Sequence, residues 1–348
     1  MDKSKIKVAI LAISSVLMAA MTASAILADI SIYYSEVEQS VIQMVLTLPA
    51  LLAMVFALIS GPLSTKFSKR NIVIFGLLSA FFGGALAFIF GGISIYALLI
   101  ASVLIGVGQG INSTMSMALI ADYFIGEERS TLMGLQSAFV NFGGMVIVLI
   151  SGVLAGFDWK LSYLVYFVFL PVLFLVIRGL PNQAPLKQTV SSTKEESKLN
   201  KVVYYTCFVV FCFAALLFVL QTNISLVIAN NNLGNATSGG LANSFMVAIG
   251  AITGFSYGHL KRLLKQYIIP VGISATAFGM FLIFAVGNLA SIFVAAACAG
   301  FGLSSIMPTA IFNVSSSVKP EVSATAIALT TSAANVGMFF SPFIINGV

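Results

Sequence analysis

Eleven mostly apolar stretches follow one another along the chain, and each is near the length of about 20 residues that a helix needs to cross a bilayer. The bilayer core holds no water for unpaired backbone groups, so such stretches must form helices. Only 8% of the residues are charged, against about a quarter in soluble domains. The sequence therefore predicts an all-α integral membrane protein with about 11 transmembrane helices. The stretches are approximately 7–29, 39–61, 71–91, 96–120, 132–156, 160–179, 202–226, 240–258, 267–287, 289–313 and 323–345.

The basic residues sort to one side of this arrangement. With a cytoplasmic N-terminus, 16 of the 17 Lys and Arg residues fall in cytoplasmic loops, and only Lys160 lies outside. Cytoplasmic loops of membrane proteins carry such an excess. The pattern predicts a multi-pass protein of the cell membrane, and it explains the net charge of +6 without nucleic acid. A cleaved signal peptide is the alternative for residues 1–29, but that apolar stretch is long enough to span and further spans follow at once.

A polar segment and an internal repeat divide the chain. Residues 181–200 are rich in Pro, Ser and charges, and they are predicted to form a cytoplasmic linker between an N-terminal bundle, 1–180, and a C-terminal bundle, 201–348. The basic turn that begins at Gly61 has a counterpart at Gly254, 193 residues later. Asn141 and Gly143 recur as Asn335 and Gly337, at an offset of 194. The near-constant offset predicts a duplicated six-span unit. Because only five spans follow the linker, we expect a twelfth to be missing through truncation of the gene or of the expressed chain.

The turn 61–70 resembles the signature that follows the second span in the major facilitator superfamily. Thr65 stands where that family has Asp, and Ser68 where it has a second Gly. In that family the Asp caps the start of the eleventh span and stabilises the outward-open state. Thr65 can also accept a hydrogen bond, but it carries no charge. The resemblance covers nearly the whole chain and implies the major facilitator fold, with two pseudo-symmetric six-helix bundles. The matching residues are Gly61, Leu63, Lys66, Lys69 and Arg70.

The loop after the fourth span continues the resemblance and implies an inner gate. Its charged residues are expected to form salt bridges with the 66–70 turn across that gate, and the alternative is a solvated charge cluster. The gate residues implied in the two halves are Gly61, Thr65, Lys66, Lys69, Arg70, Asp122, Glu127, Glu128, Arg129, Gly254, Lys261 and Arg262.

Two further motifs resemble those of the family's exporters in part. Gln109-Gly110 matches the fourth-span signature of proton-coupled exporters, although Gly106 replaces its Arg. The fifth-span antiporter signature is matched at Gly134, Gly143 and Gly152, but Ile147-Val148 replaces its Gly-Pro and Ser151 replaces its penultimate Gly. The resemblance to exporters is therefore incomplete.

The expected solute site lies near the middle of the membrane between the halves. No ionisable residue is expected at that depth, and Asp29, at the outer end of the first span, is the candidate for proton coupling. A neutral pocket suits a neutral or amphipathic solute. The alternative is that the amides only hydrogen-bond between helices. The candidate solute-binding residues are Met18, Thr22, Gln109, Asn112, Asn141 and Asn335.

These features predict a transporter and not an enzyme. The sequence has no phosphate-binding Gly-Lys motif, no carboxylate pair and no Cys/His cluster, so neither cofactor nor metal is expected. The resemblance implies a monomer in the lipid bilayer that works by alternating access, with proton-coupled efflux of a small solute as the first hypothesis. The alternatives are a symporter or uniporter for a neutral nutrient, a receptor that moves nothing, and an integral membrane enzyme.

Overall fold

The computed structural model describes residues 3–64, 66–182, 200–318 and 320–346. Thr65, most of the predicted linker and the side chains of Glu127 and Arg129 lie outside the described residues. The described part of the chain is almost entirely helical and contains no strand, which confirms the predicted fold class. Ten of its helical segments are long and apolar enough to cross a membrane, and a further helix occupies the predicted eleventh span.

The first half contains six predicted spans. The first span consists of α1 (Lys3–Ser15), a 3-10 turn (Ala19–Met21) and α2 (Thr22–Tyr33). The next four are α3 (Gln39–Leu63), α4 (Lys69–Phe90), α5 (Ile95–Tyr123) and α6 (Gly126–Ala155). The sixth begins as a 3-10 helix (Trp159–Val168) and continues as α7 (Phe169–Gly179). Side-chain oxygens cap several starts, because the first backbone N–H groups of a helix have no partner within it. Ser68 caps α4, and Ser94 caps α5.

The second half contains the remaining helices. They are α8 (Lys201–Asn230), α9 (Ala236–Phe255), α10 (Tyr257–Leu264), α11 (Ile268–Val286), α12 (Leu289–Ser317) and α13 (Pro320–Asn346). Asn288 separates α11 from α12, where two apolar stretches almost touch in the sequence. Its side-chain oxygen accepts a hydrogen bond from the backbone N–H of Ser291 at 2.8 Å, and Ser291 Oγ accepts one from the backbone N–H of Asn288 at 3.2 Å. This capping box starts α12 at the predicted place.

The first span is broken, whereas the sequence predicted one continuous helix over 7–29. The break lies at residues 16–21, where Tyr166 from the sixth span donates its hydroxyl to the Ala19 carbonyl at 2.9 Å. Ser14 and Ser15 precede the break, and their hydroxyls bond the carbonyls of Ile10 and Ala12, each at 2.8 Å. Serine hydroxyls compete for backbone groups in this way and favour helix ends and bends.

The two halves pack through a small set of helices. α2 packs on α8 and α9, α6 packs on α9, and α3 packs on α13. We call the end of the bundle that carries Lys3, Lys69 and Arg262 the basic end, and the opposite end, with Glu36 and Asp158, the far end. Every span crosses between these two ends. The contacts between the halves can therefore be ordered by their depth from the far end.

The halves differ in how one face is covered. In the first half, residues 159–179 pack against α1, α4 and α6. In the second half, α8 and α11, which the repeat makes equivalent to α1 and α4, border with α12 a cavity of about 590 Å³. α11 accordingly carries exposed aromatic side chains, and Phe284 is 89% exposed.

Candidate functional site

A group of neutral side chains joins the halves at the far end. The Asn346 side-chain amide on α13 donates to Ser40 Oγ and to Gln43 Oε1 of α3, at 3.0 Å each. The Gln43 amide in turn donates to Asn223 Oδ1 of α8 at 3.2 Å. We call Ser40, Gln43, Asn223 and Asn346 the amide latch. It links three spans from the two halves without any formal charge.

A second set of contacts lies near the latch, since Ser225 of α8 is only two residues from Asn223. The Ser24 carbonyl at the start of α2 accepts from Ser225 Oγ and, at 3.4 Å, from the Asn243 amide. Backbones also touch here, because a Cβ added to Gly240 of α9 would lie 2.7 Å from the Cα of Gly152 on α6. Small residues permit such close approach between membrane helices. The far half of the bundle is therefore closed by tight packing as well as by hydrogen bonds.

The deepest contacts between the halves lie near mid-depth. Ser244 Oγ donates to the Met145 carbonyl at 3.4 Å, and the Gln221 amide approaches Met21 Sδ at 3.3 Å. In the described part of the chain, the hydrogen bonds that we identify between the halves lie between this level and the far end. These hydrogen bonds thus join the halves from mid-depth to the far end.

Of the predicted solute-binding residues, Thr22 and Met18 lie at the broken first span. Thr22 is fully buried, and its side chain lies beside the hydroxyl of Tyr166. Met18 packs on α6, where a Cβ added to Gly144 would lie 2.9 Å from the Met18 Cβ. Asn141 is half-buried and donates to the Ser137 carbonyl of its own helix at 2.9 Å. Asn335 is half-buried on α13.

Gln109 and Asn112 lie elsewhere, inside the first half. They border a small cavity of about 10 Å³ next to the break in the first span. Asn112 is only 2% exposed, and the side-chain oxygens of both residues are buried without a partner. The structure therefore places these two amides within one bundle, apart from the hydrogen bonds that join the halves.

At the basic end, the charged contacts connect helices within the first half. Lys69 at the start of α4 pairs with Asp122 at the end of α5, as the sequence predicted for this turn. Glu128 differs from the expectation, because it pairs with Lys7 at 2.6 Å and Lys3 at 3.4 Å. Both lysines lie one turn apart at the start of α1, facing the start of α6. The hydrogen bond from Lys7 is the main reason why the pKa of Glu128 lies below its usual value.

The described charge pairs at this end lie within the first half and do not join the two halves, so the inner gate stays a prediction. Asp122, Glu128 and their lysine partners all belong to the first half, and Arg70 donates to the Ile177 carbonyl of α7 at 2.7 Å. Exposed pairs of this kind are each worth about 0–1 kcal/mol. They connect the ends of neighbouring helices in one bundle.

The second basic turn uses its charges differently. Lys261 Nζ lies 3.0 Å from the centroid of the Phe312 ring on α12, and the hydroxyls of Tyr257 and Thr309 are 2.9 Å apart. Gly61 and Gly254 head the two turns, and a Cβ added to either would meet nothing within 4 Å. Lys66 and Arg262 are exposed.

Asp29 lies near the far end of α2, close to Asp158. It is half-buried, and its Oδ2 has no hydrogen-bond partner among the described residues. A buried carboxylate oxygen without a donor is costly, so this group is suited to carry a proton.

The sequence search missed the amide latch and Asn243. Except for Ser40, these residues share a sequence signal, since each is an amide in or beside an apolar stretch. The search was confined to mid-depth, whereas the latch lies at the far end.

A family model described as Major Facilitator Superfamily matches residues 8–342. A hexuronate transporter of Bacillus subtilis (strain 168) is 25% identical over 183 residues, which cover 48% of this chain and 43% of that protein. The chain therefore matches less than half the length of that relative.

Several solved transporters share the fold. One is a bacterial homolog of the human lysosomal transporter Spinster, solved in an inward-facing and unoccupied conformation. It has a TM-score of 0.74 at 15% identity, and the match covers 97% of this chain and 81% of that chain. The POT family transporter PepTSo has a TM-score of 0.75 at 14% identity, and the match covers 99% of this chain and 90% of that one. A mutant of the nucleoside transporter NupG has a TM-score of 0.76 at 11% identity, with coverages of 98% and 90%.

Proposed function

This chain belongs to the Major Facilitator Superfamily, and on that premise we propose that it moves a small solute across the cell membrane by alternating access. It is a multi-pass membrane protein with ten apolar helices in its described part. The observation that supports the proposal is the one-sided closure, since hydrogen bonds and tight packing join the halves between mid-depth and the far end. Two bundles joined at one end can rock about mid-depth to expose a central site to each side in turn.

With the basic end in the cytoplasm, as the charge pattern predicts, the closed far end supports the proposal of an inward-facing state. The latch must then break for the outward-facing state to form. Its bonds are neutral and few, and each contributes about 0.5–1.5 kcal/mol. Such a latch is weak enough to open in every cycle.

The proposed solute is small and neutral or amphipathic. The side chains that meet between the halves near mid-depth include Met21, Gln221 and Asn243, which offer a soft thioether and amide groups but no charge. Apolar surfaces with a few polar groups are the common form of a small-molecule site. Of the possible directions, proton-coupled efflux is the first hypothesis, because the exporter motifs are partly present.

Uptake of a nutrient is the second hypothesis. It is favoured by the names of the similar proteins, which are transporters of hexuronate, peptides and nucleosides. A flux assay separates the two hypotheses. Vesicles with the purified protein and an imposed pH gradient are screened with lipophilic dyes and with neutral nutrients. If no compound moves although the protein is shown to be folded and inserted, the result contradicts transport. The receptor hypothesis would then remain.

Proton coupling through Asp29 gives the next prediction. Asp29→Asn is expected to abolish concentrative, gradient-driven flux while leaving downhill flux of the same solute, because the amide cannot take up a proton. The measurement compares both fluxes in vesicles with and without the pH gradient. Glu36→Gln is the matched control, since Glu36 is an exposed carboxylate at the same end. Full gradient-driven flux in Asp29→Asn would show that Asp29 does not carry the proton.

A further inference from the structure

The short helix α10 forms an exposed basic surface between α9 and α11. None of its residues, Tyr257–Leu264, is buried. Arg262 and Lys265 are exposed, and the apolar side chains of Leu263 and Tyr267 beside them are 72% and 61% exposed. We call Arg262, Leu263, Lys265 and Tyr267 the α10 surface. Exposed cations beside exposed apolar groups are typical of helices that lie in the interface of a membrane.

The cations of the α10 surface differ from those of the equivalent turn in the first half. There, Lys69 is neutralised by Asp122 and Arg70 donates to the Ile177 carbonyl. Arg262 and Lys265 have no ion-pair partner within 4.0 Å among the described residues, and the sequence from 254 to 268 contains no acidic residue. The two positive charges are therefore available to an anion from outside the protein.

The local geometry keeps both charges together. Lys261 is held against the Phe312 ring, so the helix is attached to α12 through that side chain. Lys265 follows the end of α10 with a φ of +47°, which turns the chain sharply into α11. Arg262 lies in the last turn of α10 and Lys265 directly follows that helix, so the two charges are close in the chain at this end of α10. α11 enters the apolar region at Ile268, so the α10 surface lies at the level of the lipid headgroups.

We propose that Arg262 and Lys265 bind the phosphate of an anionic phospholipid headgroup, while Leu263 and Tyr267 contact its upper acyl chains. A headgroup phosphate supplies the missing negative charge, and the apolar side chains are placed as a lipid contact requires. The proposal does not depend on the transported solute, because the surface lies outside the region where the halves meet.

Native mass spectrometry of the purified protein tests the proposal. With equal amounts of phosphatidylglycerol and phosphatidylcholine added, we expect the protein to retain phosphatidylglycerol preferentially. Arg262→Gln with Lys265→Gln is expected to reduce that preference by about thirtyfold, as two lost basic contacts of about 1 kcal/mol each imply. Arg262→Lys with Lys265→Arg should keep it, and gel filtration confirms that each variant is folded.

Lys201→Gln is the matched control, because Lys201 is an exposed basic residue at the same end of the second half. Equal retention of the two lipids by the unaltered protein would overturn the proposal. An equal loss in Lys201→Gln would also overturn it, because the effect would then come from overall charge. Competition by soluble glycerol phosphate at the same concentration as the lipid would show a free-phosphate site instead, and would equally contradict a lipid site.

Discussion

Joining Gln43 to Asn223 by a short covalent bridge is expected to stop transport. The two side chains meet at 3.2 Å in the amide latch, one from each half, at the end where the halves are closed. A bridge between them prevents the far end from opening, so the outward-facing state cannot form. Flux should fall to the share carried by molecules that escaped bridging, and reductant should restore it.

The experiment uses Gln43→Cys with Asn223→Cys in a background where Cys207, Cys212 and Cys298 are replaced by serine. These are the free cysteines of the described residues, and each is only half-buried. A short bifunctional methanethiosulfonate is preferable to direct oxidation, because the side chains meet at their tips and a disulfide needs close Cβ atoms. Each single cysteine variant, treated in the same way, is the control. Full flux in protein shown to be bridged would contradict a far-end gate at this position.

The second large effect is expected from a single methyl group. In Gly143→Ala, the new Cβ would lie 1.9 Å from the Ser15 carbonyl oxygen, so α1 and α6 must separate. Forcing extra atoms into a packed site typically costs about 1–3 kcal/mol. We expect the midpoint of thermal unfolding in detergent to fall clearly. The equivalent Gly337→Ala should behave alike, because its Cβ would lie 2.3 Å from the Phe211 carbonyl oxygen.

Gly258→Ala provides the matched control. Gly258 lies within α10, and a Cβ there would meet nothing within 4 Å. Alanine favours a helix over glycine by about 1 kcal/mol, so this variant should be as stable as the unaltered protein or slightly more stable. Equal stability of Gly143→Ala and Gly258→Ala would show that the close contact between α1 and α6 is not present in the protein.

The apolar stretches predicted the spans well, because membrane burial imposes a length and a composition that the sequence shows directly. The repeat also predicted a real structural equivalence. Gly143 and Gly337 lie at the same offset, and each lets a carbonyl of the first span of its half approach closely. The break at residues 16–21 was missed, because the stretch stays apolar while its backbone hydrogen bonds change from the α-helical pattern to a 3-10 turn.

The candidate site was less accessible from the sequence. Asn346 and Gln43 are 303 positions apart, and their contact depends on how the two bundles dock. The pairing of Glu128 with Lys3 and Lys7 likewise depends on the packing of α1 beside α6. Local pattern predicts which charges and amides are present, whereas tertiary packing decides which of them meet. The solute-binding roles of Asn141 and Asn335 stay predictions.

Rocking of the two halves moves the two ends of the bundle in opposite directions, and paired distance measurements detect this movement. Spin labels at Ile93 and Val286 report on the far end, and labels at Phe67 and His259 report on the basic end, in the cysteine-free background. All four positions are exposed, two in each half. The perturbation is Gly240→Leu, which places a side chain where a Cβ would already lie 2.7 Å from Gly152.

The account predicts that Gly240→Leu in lipid vesicles lengthens the far-end distance and shortens the basic-end distance. A change of both distances in the same direction, or a longer far-end distance with an unchanged basic-end distance, would contradict alternating access by rocking of the two halves.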